Sequence, residues 1–492
     1  MTHDIAIVGS GICGMCSAMS LAQYGHRITI FERDESPPPG NADDAFFNWN
    51  RKGAAQFRHP HAFLGLMCNL IADRYPELLE QFYAAGARRV GFQEVLSPSL
   101  RKHYQPVAGD DKLWVLMCRR ATMETVMRRY VATLPGVTIT NPCTVTGLIS
   151  ETHAGMVDVL GLSIKRAGRT SRHLSDIVID ASGRTTAFPR WFRELGYDVA
   201  EEKDDAEIVY YTRHYRLRDG ETEPPRGRRS GAGDLGYLKF GVFPGDNGNF
   251  AIILCVPMAE NQIKKAVRDA EQFERICLSI PGLEPWLANE RALATTDPFG
   301  IGDIRSVWRH FVADGQPVAR NFFAVGDAAL RTNPLYGRGC SMGILHANIL
   351  AEAIAQRSDP VQRAIEYDKR TEAELRPIFE ASLREDRRGI RRARASRENR
   401  PIEKPDTLKR WFALAFADAL GAAARDQVHV LRGVMRTFHL LEKPGEFLND
   451  WKVRRTILRY MLRGRRRNAA SRLQPGPDRG EMHAILGLPA SA

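Results

Sequence analysis

A strand–glycine–helix–strand unit at the start of the chain constrains the fold more than any other feature. Asp4-Ile5-Ala6-Ile7-Val8 reads as a buried strand and runs into Gly9-Ser10-Gly11-Ile12-Cys13-Gly14. A second strand, Arg27-Ile28-Thr29-Ile30-Phe31, is closed by Glu32 with Arg33 beyond it. The three glycines have separate tasks. Gly9 makes the tight turn, Gly11 lets the backbone approach a pyrophosphate, and Gly14 lets the helix pack on the strand. The helix start at Ile12 and Cys13 offers free N–H groups and a positive dipole end to phosphates. Glu32 is placed to accept hydrogen bonds from ribose hydroxyls, beside Arg33, and its charge opposes a 2′-phosphate. The unit implies a doubly wound α/β domain that holds a dinucleotide.

Two later segments choose among dinucleotides. The apolar run 176–180 ends in Asp180 and enters Ala181-Ser182-Gly183-Arg184. Far downstream, Asn321-Phe322-Phe323-Ala324-Val325 ends in Gly326-Asp327, followed by Asn333-Pro334-Leu335-Tyr336-Gly337-Arg338-Gly339-Cys340-Ser341-Met342-Gly343 and a helical run over about 344–355. A strand ending in Gly-Asp, a Pro/Gly loop and a helix start suit an extended flavin. Asp327 is then the partner of the ribityl hydroxyls. Gly339, Cys340 and Ser341 lie against the isoalloxazine ring, and Pro334 and Gly337 stand nearest the chemistry. The following helix N-terminus stabilises negative charge on the reduced ring. Asp180 and Gly183 complete the expected cofactor contacts.

With these segments in view, the chain resembles FAD-dependent monooxygenases of the para-hydroxybenzoate hydroxylase fold over roughly residues 1 to 350. The stretch from Arg51 through Gln56-Phe57-Arg58-His59-Pro60-His61 looks most like flavin epoxidases of the polyether (monensin-type) pathways. Leu116-Met117-Cys118-Arg119-Arg120 is similar to the family's arginine-bearing helix start, in a register that favours Arg120 over Arg119 as the FAD contact. The resemblance implies FAD as cofactor and O2 as co-substrate. One oxygen atom passes from a flavin C4a-hydroperoxide to a lipophilic alkene, giving an epoxide, or to an aromatic ring, giving a phenol. The hard chemistry is the cofactor's, while the protein excludes water and aligns the acceptor. Asp-Ala-Ser-Gly-Arg at 180–184 departs from the hydroxylases' Gly-Ala-Asp-Gly, so NAD(P)H supplies electrons directly or through a separate flavin reductase. Flavin halogenases share the fold and carry a Trp-x-Trp-x-Ile-Pro motif, which none of the seven Trp residues here falls in. Two other readings remain: a reductase of prenyl-type double bonds, and an accessory flavoprotein that docks on or modifies a protein.

Arg58, His59 and His61 form a compact polar group where related folds bring a loop to the flavin edge. Either they contact flavin or substrate and steer a proton, or they hold the shape of their loop. A metal reading of the two histidines is weak, and the eight scattered cysteines supply no ligand set at metal spacing. Cys13 and Cys16 form the one C-x-x-C, at the fingerprint turn and on its helix, where small apolar residues pack against the sheet.

The chain carries a net charge of +12, which belongs to its C-terminal third. Residues 451–472 hold nine Lys or Arg and no acid. Trp451, Leu458 and Leu462 recur there at spacings of seven and four, with Ile457 and Met461 alongside. That stripe is expected to pack on the body as a cap, with weak docking on a membrane surface as the lesser reading. Nucleic acid is not an expected partner, since no recognition motif accompanies the charge. The chain begins on a buried strand and contains no membrane-length apolar run, so a cytoplasmic enzyme, at most peripheral to a membrane, is expected. The domains read as FAD-binding parts at 1–185 and 295–375, an antiparallel substrate domain at 186–294, and a basic helical region from 376 to 492 whose last twenty residues form a loose polar tail. Tyr211, Arg213 and Tyr215 share one face of a strand over 206–217, and Tyr210, Thr212 and His214 the other.

Overall fold

The protein is described here by a computed structural model covering residues 2–153, 155–225, 229–400, 405–470 and 475–489. Its fold is mixed α/β. Five parallel strands lie in the order Phe322–Ala324, Ile177–Asp180, Asp4–Val8, Arg27–Phe31 and Val137–Thr140. Ile5, Ala6, Ile7 and Ile177 to Ile179 are fully buried, as strands covered on both faces must be. The helices Ile12–Ala22 and Gly339–Gln356 pack together over this sheet. Their close approach depends on Cys13. A Cβ on Gly326 or Gly343 would fall 2.4 or 2.2 Å from its sulfur. This packing corrects the expected helix start near 344. The helix begins at Gly339, because Gly343 is needed inside it as a contact surface rather than outside it as a turn. Cys13 and Cys16 are free thiols in this packing layer, and burial pushes both pKa values up.

A second, antiparallel sheet runs Ala232–Asp234, Lys239–Pro244, Asn249–Pro257, Ile208–Leu217 and Ala292–Ala294, with Phe299–Ile301 also on the 208–217 strand. The structure decides between the two faces of that strand. Tyr210, Thr212 and His214 face the 56–63 loop and the 333–335 loop. Tyr211, Arg213 and Tyr215 turn to the rear core, where Arg213 pairs with Glu274 and the Tyr215 ring stacks on Phe250. The tip of the hairpin at 244–249 is anchored by Asp246, which accepts from both the backbone N–H and the guanidinium of Arg119. A further sheet of four strands has Thr144–His153 and Arg169–Leu174 antiparallel to Met156–Arg166 and Ala319–Arg320 parallel to it, and has no counterpart in the sequence reading.

A single helix, Pro360–Arg397, runs straight through position 375, where the composition changes. Beyond it, the helices Leu408–Asp426, Val428–Phe438 and Trp451–Arg463 enclose a small core of Ala419, Ala422, Ala423, Val430, Val453, Ile457 and Tyr460. The expected stripe is therefore split: Ile457 joins this core and Met461 packs against it, whereas the other three residues do not. Val453, Ile457 and Tyr460 pack inward, and Trp451, Leu458 and Leu462 face out. The alanine face of the 408–426 helix explains the choice, since a flat surface of methyl groups admits a β-branched pair closely. Arg472, in the basic run, lies outside the described residues. The expectation of a loose tail is also corrected for 475–489. Arg479–Ile485 is a helix with a capping box, Met482 is fully buried against the rear of the antiparallel sheet, and Arg479 holds Glu260 through two bonds.

Candidate active site

A cavity of about 630 Å³ opens between the parallel sheet, the antiparallel sheet and the 428–438 helix. Its floor at one end is the glycine turn. Gly9 adopts φ +103°, and a Cβ there would meet the Ala181 carbonyl oxygen at 2.6 Å. Gly14 lies behind the turn, its missing Cβ only 2.0 Å from the Gly9 oxygen. Gly11 differs from both. Its φ is −71°, a Cβ would find nothing within 4 Å, and it faces the cavity at the helix N-terminus with Ile12 and Cys13. No side chain caps that N-terminus, so its first N–H groups are left for a ligand.

Beside the turn stands a buried charge cluster centred on Arg51. Its guanidinium meets Glu32 at 2.9 Å, Asp34 at 3.0 Å and Glu124 at 2.9 Å, with its side chain 2% exposed. Burial alone would raise the Glu32 carboxyl. Arg51, with hydrogen bonds from Asp34 N–H and from the N–H and hydroxyl of Ser10, brings it down to about 2. Glu32 lines the cavity as a carboxylate already fixed by protein donors, next to Arg33. Arg51 is the residue sequence reasoning missed, because its three carboxylates are brought together only by folding.

Asp327 and residues of the 334–340 segment also line the cavity. The Asp327 carboxylate has no hydrogen-bond partner among the described residues. Burial raises its pKa, against the pull of Arg120, Arg331, Arg184 and Arg309. The helix N-terminus at Gly339 is likewise uncapped by any side chain, and Gly339 and Cys340 of its first turn line the cavity. Gly337 adopts φ +65°, with its missing Cβ 2.9 Å from the Ala62 Cβ, which locks the Pro334–Gly337 turn against the 59–63 loop. Behind that turn, Asn333 and Tyr336 both donate to Oδ1 of Asp386 on the 360–397 helix, at 2.6 and 2.8 Å. The Tyr210 hydroxyl joins this network by donating to Asn333.

Two histidines and an arginine also line the cavity. His61 Nε2 lies 2.9 Å from an N–H of Arg120 and must accept from it, so its Nδ1–H donates to the His59 carbonyl at 2.8 Å. His61 is thus neutral, with both ring nitrogens engaged. Burial and Arg120 hold its pKa well below the usual value. Arg120 is itself held by Glu124 at 2.5 Å. His59 pairs through Nδ1 with Thr212 at 2.8 Å, and burial lowers its pKa to about 4. Its Nε2 has no protein partner among the described residues, and the ring lines the cavity.

Four expected contacts do not reach the cavity. Arg58 turns away, and its guanidinium donates to the carbonyls of Phe46 and Phe47, shaping the loop rather than meeting a ligand. Asp180 is fully buried and spends its carboxylate on Ser182 and Thr186, holding the 181–186 turn that presents Gly183 and Arg184 to the cavity. Gly326 lies behind Asp327 against Cys13. Ser341 points into the protein from the first turn of its helix, fully buried. Arg120 lines the cavity and Arg119 does not, being held by Asp246 and Asp43. The cavity's remaining wall is apolar, with Val115, Met117, Phe243, Ile253, Met435 and Phe438 facing it.

Comparison with known proteins agrees with this geometry. The profile of the family described as FAD dependent oxidoreductase matches residues 4–357. Protein Rv3254 of Mycobacterium tuberculosis is 25% identical over 465 residues, covering 89% of each chain. Among solved structures, the flavin-dependent brominase Bmp2 superimposes with a TM-score of 0.62 at 18% identity, covering 95% of this chain and 100% of its own. PqsL of Pseudomonas aeruginosa, a probable FAD-dependent monooxygenase, gives 0.56 at 17% identity over 80% of this chain and 96% of its own. The anhydrotetracycline hydroxylase OxyS of Streptomyces rimosus gives 0.55 at 18% identity over 90% and 76%. At these identities the three structures establish a shared fold.

Proposed function

The chain belongs to the FAD-dependent oxidoreductase family, and from that premise we propose that it is a monooxygenase acting on a lipophilic acceptor. The residues present fit FAD. An uncapped helix N-terminus at Gly11 suits the pyrophosphate, and Glu32 with Arg33 suits the adenosine ribose. The unpartnered, cavity-lining Asp327 suits ribityl hydroxyls. Bound FAD supplies the activation of O2 and the transfer of one oxygen atom. The observation that carries the reading is the joining, in one cavity, of this polar cradle to an apolar wall. Such a wall excludes water and aligns an alkene or an aromatic ring.

The protein's own groups then have definite tasks. Arg120, kept cationic by Glu124 and oriented by His61 Nε2, places positive charge beside the 334–340 segment. With the uncapped helix end at Gly339 it favours negative charge developing at that end of the cavity. His61 holds its own proton on Nδ1 against the His59 carbonyl and is a positioning residue. His59, neutral above about pH 4, presents Nε2 to the cavity and can hold a hydrogen bond to cofactor or acceptor. Electrons arrive from NAD(P)H, directly or through a flavin reductase. An alkene acceptor is preferred, on the likeness of the 51–61 stretch to flavin epoxidases.

Turnover under isotopically labelled oxygen gas tests the reaction. The expected product carries one labelled atom, and none forms under strict anaerobiosis. Full anaerobic turnover, with the acceptor gaining two hydrogens, would assign the protein to the prenyl-type reductases instead.

A further inference from the structure

Outside the cavity, the outer face of the 451–463 helix has the most distinctive chemistry on the surface. Its inner side is committed to Val453, Ile457 and Tyr460, which leaves Trp451, Leu458 and Leu462 at 61%, 56% and 81% exposure. Three large apolar side chains on one helical stripe are a patch rather than scattered surface residues. Lys452, Arg455 and Arg459 rise beside them, and Arg466 and Arg467 follow on the next helix, Arg465–Ala470. None of these five cations has a carboxylate partner among the described residues, and no acid occurs from 451 to 467. Arg455 lies over the Trp451 ring, 5.9 Å from its centroid, so charge and apolar surface share one face. On the helix packed against it, Leu408, Trp411 and Phe412 are also exposed.

We propose that this face docks on an anionic lipid surface. Trp and Leu side chains enter the headgroup boundary while arginines around them meet anionic headgroups. The arrangement favours lipid over an acidic protein. The cations sit on long, exposed side chains and the apolar residues project as a ridge, so a fluid charged surface satisfies both without a complementary shape. The attachment is peripheral, since among the described residues no helix is long and apolar enough to cross a membrane. The neighbouring 428–438 helix, which packs on this one, contributes Met435 and Phe438 to the cavity wall. One helix therefore separates the docking face from the cavity.

Sedimentation of the full chain with vesicles of phosphatidylcholine alone, or mixed with phosphatidylserine, tests the face. The protein should pellet with the mixed vesicles at low salt, stay soluble with neutral ones, and be released by high salt. Removing two cations in R455A/R459A should weaken partitioning roughly 25-fold, a factor of about five per charge. The variant W451S/L458S/L462S should lose at least tenfold, with an unchanged melting temperature in both cases because every altered side chain is exposed. Failure to pellet with anionic vesicles at low salt would overturn the proposal, as would equal binding of the serine variant. Analytical ultracentrifugation of the same variant covers a second copy as occupant: a dimer that dissociates when the three apolar residues are replaced would also overturn it.

Discussion

The glycine turn at 9–14 and the helix at 451–463 were both marked by spacing in the sequence, yet only the first behaves as its spacing implies. At the turn, each glycine answers to a backbone atom. A Cβ on Gly9 would meet Ala181 O, and one on Gly14 would meet Gly9 O, so this arrangement of strand and helix admits only glycine at both positions. On the helix, two apolar stripes compete, and the neighbour decides. Trp451, Leu458 and Leu462 form one of them, but Val453 and Ile457 fit the alanine face of the 408–426 helix. Steric exclusion can be read from sequence, whereas a choice between two apolar faces needs the surface they meet.

Acidification tests this contrast most severely. His59, His214, His346 and His439 are held near pKa 4 by burial, against 6.5 when unfolded. The unfolded chain thus binds more protons between those values, and stability present above pH 6.5 is lost as pH falls toward 4, by about 3 kcal/mol for each histidine. Glu32, depressed to about 2, extends the loss below 4.5. Three of the four histidines stand in the catalytic body and His439 joins the helical layer to it through Gly65. Hydrogen exchange at falling pH should therefore report opening in the 4–356 region before the small core of Ala419, Ala422 and Ile457. The reverse order would break the comparison.

Replacing Arg51 by Met leaves Glu32, Asp34 and Glu124 buried together and should cost about 3–5 kcal/mol in denaturant unfolding. A change under 1 kcal/mol would mean that the cluster is not a structural centre. The glycine pair gives a sharper cut. Gly14→Ala forces a Cβ onto backbone and should cost about 3 kcal/mol. Gly11→Ala meets open space and should leave the melting temperature unchanged while weakening FAD binding. Equal destabilisation by both would show that the cavity-facing role of Gly11 is misassigned. In the C-terminal helix, Ile457→Ala should cost about 2–4 kcal/mol and Leu458→Ala less than about 0.5 kcal/mol. If these exchange places, the packed face of this helix is wrong.

The legible part of the site consists of residues whose task is steric or whose partner is close in sequence. Gly9, Gly11, Gly14, Asp327, Gly337 and Arg120 all stand at the cavity or directly behind it as their motifs imply. Asp180 stands away from the cavity, and Arg58 follows the second of its two readings, for one reason. Each is polar beside a cavity-forming loop, and each satisfies that loop's backbone or hydroxyls instead of a ligand. Arg51, Asp386 and Thr212 were illegible because their partners lie 17 to 153 residues away. The tail helix 479–485 was missed for the same reason, since its apolar contacts belong to a sheet over two hundred residues upstream. Glu32 lines the cavity, but its bonds to Ser10 and Arg51 make Glu32→Ala a poor probe of ribose binding.

Asp327 has no such second duty, which makes it the cleanest probe of the central claim that this cavity holds FAD. The measurement is the FAD dissociation constant of apoprotein carrying Asp327→Ala, beside the unaltered chain, with the apoprotein melting temperature as a control. A hydrogen bond to a charged group contributes roughly 1.5–3 kcal/mol, so FAD should bind about ten- to a hundredfold more weakly with the apoprotein melting temperature undiminished. Unchanged FAD affinity in a folded Asp327→Ala protein would contradict the placement of the cofactor in this cavity.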